Sequence, residues 1–108
     1  MTFKNNSVNN MFKYQFFIGC NDKDTLKDNY KQIKKRVIKY FDSLNQCYTL
    51  TEAVGRYQHD NSKVVNERTL IVTIFTYSHI GAWAIELKRI CNQESILVTA
   101  DKTQTYFY

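Results

Sequence analysis

The sequence predicts an α+β domain of the ferredoxin-like type: a βαββαβ chain whose four-stranded antiparallel sheet carries two helices on one face. Three observations predict it. Segments of alternating apolar residues occur four times. Two stretches instead repeat their apolar residues every three or four positions. Their order along the chain is strand, helix, strand, strand, helix, strand, the split βαβ pattern. With 108 residues, 44% of them hydrophobic, the chain fits one domain able to bury a real core.

Residues 1–10 are polar and read as a flexible N-terminal arm. Residues 13–19 form the first strand, with Tyr14, Phe16 and Ile18 on one face and Phe17 on the other. The first helix is expected over residues 24–41. Leu26, Tyr30, Ile33, Val37 and Phe41 make its apolar stripe, and Thr25 with Asp28 resembles a capping box. Residues 47–57 form the second strand, and 58–62 (QHDNS) a polar turn. The third strand spans 63–77, densest in β-branched and aromatic residues from 69 onward. Ser78 reads as the N-cap of a second helix with Ile80, Trp83, Ala84 and Leu87 on its stripe. Ile96, Val98 and Ala100 alternate in a last strand, and 103–108 form an aromatic C-terminal tail.

This topology gathers three connections at one end of the sheet: residues 19–25, 58–62 and 92–95. They bring Asn21, Asp22, Asp24, His59, Asp60, Asn92, Gln93 and Glu94 to one rim, a candidate ligand-binding site. Carboxylates so gathered suit a divalent cation, which needs several oxygen ligands. His59 beside an acid suits general-base work. Cap and turn chemistry explains the same residues without a ligand, and no recognised metal or nucleophile motif is present. No resident cofactor or metal is therefore expected. His79 belongs at the opposite end.

Two further surfaces stand out. The face of the sheet turned away from the helices should carry Phe17, Phe75, Tyr77 and Leu97. An apolar patch of that kind rarely stays exposed, so it predicts a homodimer or higher oligomer. The first helix presents Lys27, Lys31, Lys34 and Lys35, a candidate though weak nucleic-acid surface in a chain of net charge +5 and pI about 9.1. A solvated outer face accounts for those lysines equally well. Cys20, Cys47 and Cys91 lack metal-ligand spacing and read as buried free thiols. No apolar run approaches the roughly 18 residues of a membrane span, and the first residues lack the layout of a signal peptide. A cytoplasmic protein with no membrane partner is expected.

The stretches FIGCNDKDT, VVNERTL and NQESI carry a resemblance. Across about residues 14–98 the chain resembles a family of small proteins from Gram-positive bacteria and their phages and prophages. Members share G-x-N-D-K-D-T after the first strand and N-Q-E-S-I near the end. Cys20 and the basic first helix depart from that pattern. The resemblance implies a phage accessory gene, and brings no assigned activity with it. Taken together these readings favour a non-enzymatic module that binds a host protein or an anionic nucleotide-like ligand. A small metal- or His-dependent enzyme using the rim, with His59, Asp22, Asp60 and Glu94 in the chemical roles, is the alternative. Nucleic-acid binding through the basic helix is a further one.

Overall fold

The computed structural model describes residues 8–58 and 63–108. Its elements are β1 (Val8–Gly19), α1 (Tyr30–Ser43), β2 (Thr49–Gln58), β3 (Val64–Thr76), α2 (Gly81–Ile90) and β4 (Leu97–Tyr106). All strand pairs are antiparallel, in the order β2-β3-β1-β4. The predicted α+β, ferredoxin-like arrangement is therefore observed.

Alternation decides which face is buried. Tyr14, Phe16 and Ile18 of β1 lie beside Leu70, Val72 and Ile74 of β3, and all pack under Ile33, Val37 and Phe41 of α1 and Leu87 of α2. Phe41 is the hinge pin of this core, meeting the rings of Phe16, Tyr40 and Tyr48 at centroid distances of 5.5–5.7 Å. Its complete burial means that truncation would open a large void.

Several boundaries differ from the sequence reading. α1 starts at Tyr30, not residue 24. Asp22 accepts hydrogen bonds from the backbone N–H groups of Asp24 and Thr25 at 3.0 Å, and Leu26 adopts φ 62°, so this stretch closes into a turn. Asp28 accepts from the N–H of Tyr30 at 2.8 Å, whereas Leu26 is partly exposed rather than on the helix stripe. α2 starts at Gly81 with Ile80 as its cap residue, and Ser78 makes no cap. β1 and β4 are longer than expected, because Val8–Met11 pairs with Thr103–Tyr106. Part of the expected arm and most of the expected tail are thus paired strand.

Candidate functional site

The register explains how a site is assembled on the open face. Directly paired residues point to the same side. Phe17 faces Ile71 and Leu97, Gly19 faces Thr69, and one step further along β3 stands Glu67, opposite Gly55. Both glycines leave space that other side chains use. The Glu67 carboxylate lies over Gly19 so closely that a Cβ there would come within 2.6 Å of Oε1. A Cβ on Gly55 would run into the Tyr57 ring and Thr69 Oγ1. Tyr57 thus folds inward, its hydroxyl 3.2 Å from that of Thr69.

The result is a pocket of about 130 Å³ where the sheet meets the rim. Phe17, Leu97 and Tyr57 give its lining apolar surface, and Glu67, Lys23, Gln93 and Glu94 give it polar groups. Glu67 is 6% exposed. Burying a carboxylate costs several kcal/mol unless it is well bonded. Here the backbone N–H of Asn21 donates to Oε2 at 2.7 Å, a short charge-assisted bond.

Several rim residues bond to one another and hold this loop. Asn92 adopts φ 49°, and its side-chain amide donates to Asp22 Oδ1 at 2.8 Å and Asp24 Oδ2 at 2.9 Å. Its carbonyl accepts from the N–H of Lys23 at 3.2 Å. The Asn92 amide first, then the N–H groups of Thr25 and Asp24, hold the Asp22 carboxyl below its ordinary value. Asn21, Asp22, Asp24, Asn92, Gln93 and Glu94 are therefore brought together, as the topology predicts. His59 and Asp60 lie outside the described residues. Among the described residues no group of three or more His, Cys, Asp and Glu side chains is arranged to hold a metal ion.

The other candidates separate. Phe17 and Leu97 line the same pocket as Gln93 and Glu94 of the rim. Phe75 lies at the far end of that face, 46% exposed, and Tyr77 lies beyond the end of β3. Lys27 precedes α1 instead of lying on it, Lys34 pairs with Glu52 at 2.6 Å, and Lys31 and Lys35 are exposed on the helix. Burial pushes the Cys20 and Cys91 thiols up to about 12, so both are inert. Among the described residues no helix is long and apolar enough to cross a membrane.

Glu67, Tyr57 and Lys23 were not singled out by sequence reasoning. VVNERTL held the one available signal: a glutamate inside a strand otherwise rich in apolar and β-branched residues, at a position alternation assigns to the open face.

The S-Adenosylmethionine lyase family model matches residues 16–108. The chain belongs to the S-adenosylmethionine lyase family. That family has an assigned activity, which corrects the expectation of a family without one. It also overturns the reading as a non-enzymatic binding module, since a lyase is an enzyme. Two solved structures have the same fold. A phage SAM lyase in complex with S-methyl-5'-thioadenosine is 16% identical with a TM-score of 0.69, over 98% of this chain and 88% of that one. A phage SAM lyase in the apo state is 17% identical with a TM-score of 0.67, over 92% of this chain and 86% of that one. Among curated protein sequences none matches.

Proposed function

We propose that this chain cleaves S-adenosylmethionine at its sulfonium and releases S-methyl-5'-thioadenosine, using the Glu67 pocket. Family membership supports the reaction class. The observation that carries the choice of site is the buried Glu67 carboxylate, fixed by the Asn21 N–H at 2.7 Å and open to the pocket.

The chemistry needs little from the protein. A lyase adds no water, so the four-carbon fragment must supply its own nucleophile. A substrate carboxylate oxygen bonds to Cγ as the Cγ–S bond breaks. The bonding pair goes to sulfur, which leaves as a neutral thioether, and the fragment closes as homoserine lactone. No proton, electron or co-reactant is required. Charge is annihilated in this step, so leaving water favours it. Phe17 and Leu97 supply the apolar wall. Glu67 takes the substrate's α-ammonium and orients its carboxylate toward Cγ, and Lys23 in the pocket lining attracts that carboxylate. The anionic nucleotide-like ligand expected from the sequence is replaced in this reading by a nucleoside sulfonium of net positive charge, which suits a pocket lined by Glu67.

A pocket of about 130 Å³ is smaller than the ~300–1,000 Å³ that encloses a whole ligand of this size. On the open face Phe75 and Leu97 are each about half exposed, set among the polar Lys13, Gln15, Thr73, Thr99 and Asp101. A second copy laid on this face would close the pocket and cover the patch, which keeps the homo-oligomer reading. Light scattering tests that part: a mass above one chain is expected, and a strict monomer refutes it.

The reaction is tested by incubating the purified protein with S-adenosylmethionine in ¹⁸O-water. Thioadenosine and unlabelled lactone are expected. Glu67→Gln should lower kcat/KM by about 10- to 150-fold, the loss of one charge-assisted bond of about 1.5–3 kcal/mol. No thioadenosine from the wild type sinks the reaction, and an unimpaired Glu67→Gln sinks the site.

A further inference from the structure

We infer that Gln93 is a positioning residue that fixes the Glu67 carboxylate through the backbone of Asn21. The inference rests on the site proposed above and extends it to Gln93, which lines the same pocket.

The Gln93 side chain is 6% exposed. Its amide nitrogen donates to Asn21 O at 2.8 Å and to Cys91 O at 3.1 Å. Those two acceptors belong to different segments, the β1–α1 loop and the end of α2. One buried amide therefore joins them. The N–H of Asn21, whose carbonyl it grips, is the group that donates to Glu67 Oε2. Its own backbone N–H is anchored in turn, donating to Lys88 O at 3.1 Å. A chain of short bonds thus runs from α2 through Gln93 and Asn21 to the carboxylate.

A buried amide that only filled space would not need to spend both protons on carbonyls of separate segments. Apolar side chains of the same volume pack at lower desolvation cost. Charge-assisted bonds lose strength steeply with length and angle. Freeing Asn21 therefore loosens Glu67 even though the fold around it persists.

The test is a double-mutant cycle combined with a measurement that needs no turnover. Gln93→Met keeps the volume and removes the donors. It should lower kcat/KM by about 10-fold in the wild-type background and by less than about 2-fold once Glu67→Gln is present, because the effect passes through Glu67. In ¹⁵N-labelled protein the Asn21 amide resonance should follow the Glu67 carboxyl titration in the wild type and lose that response in Gln93→Met. Equal losses in both backgrounds with an intact Asn21 response overturn the inference and leave Gln93 a packing residue. If the wild type cleaves no S-adenosylmethionine, the lyase reading falls, and the amide titration still decides the role of Gln93. Should Gln93→Met fail to fold, the isosteric Gln93→Glu turns the donor into an acceptor facing two carbonyls and carries the same comparison.

Discussion

Replacing Gly19 by alanine puts the pressure on one group. The new Cβ would stand 2.6 Å from Glu67 Oε1 and 2.7 Å from its Cδ. Ordinary contact begins near 3.4 Å, so the carboxylate must retreat by roughly 0.8 Å. The obstacle is the far end of a flexible side chain, so the backbone need not move. The retreat nevertheless stretches the 2.7 Å bond from Asn21 to the limit of hydrogen bonding. Losing a bond to a charged acceptor costs about 1.5–3 kcal/mol. At about 1.4 kcal/mol per decade, that is a loss of about 10- to 150-fold in kcat/KM. The same energy leaves the fold intact while lowering Tm by roughly 5–15 °C. Chromatographic detection of released thioadenosine gives the first quantity and calorimetry the second. If Gly19→Ala keeps wild-type kcat/KM, the carboxylate's position does not matter to the reaction and the reasoning fails.

Gly81→Ala is the matching control. Nothing lies within 4 Å of its added Cβ, and the residue opens α2 without a positive φ. A gain of about 0.5–1 kcal/mol by denaturant unfolding is expected, with turnover unchanged; a destabilised variant contradicts this. Asn92→Ala removes both bonds to Asp22 and Asp24 and forces a Cβ-bearing apolar residue into φ 49°. It should cost about 1–2 kcal/mol, with Asn92→Gly costing less through its tolerance of positive φ. The sign of its pH dependence follows from Asp22. That carboxyl is held below its ordinary value of 3.8, so its contribution is present above that value and lost as pH falls through the lower folded value. The gap between wild type and Asn92→Ala should therefore narrow in acid, and a constant gap would show that Asp22 is not the partner that matters.

Particular residues show how far the sequence could be read. Tyr14, Phe16 and Ile18 announce β1 because alternation alone decides which side is buried. Ile33, Val37 and Phe41 announce α1 in the same way. The start of α1 was hidden because Asp22, which suits a helix cap, instead closes a turn whose geometry depends on Asn92, seventy residues later. The aromatic tail could not be assigned to the last strand because its partner is the polar stretch at the other end of the chain. Glu67 was hidden for a similar reason. Its burial depends on the missing side chain at Gly19, and only the β1–β3 register makes those positions neighbours. The rim could be placed from topology. That it merges with the open sheet face could not, because this depends on Glu67 and Tyr57 folding over two glycines on other strands.

The grip of Asn92 and Gln93 on the first loop also sets an order of events for a growing chain. Glu67 meets Asn21 across 46 residues, whereas Asn92 and Gln93 meet Asp22 and Asn21 across 70 and 72. Contacts so distant in sequence close only after the intervening chain has been laid down. A polypeptide interrupted before the end of α2 holds Glu67, Tyr57 and Gly19, and the Asn21–Glu67 bond between them, but lacks the two side chains that clamp the loop carrying Asn21. Asn92 and Gln93 are thus the late fasteners of a loop made long before them.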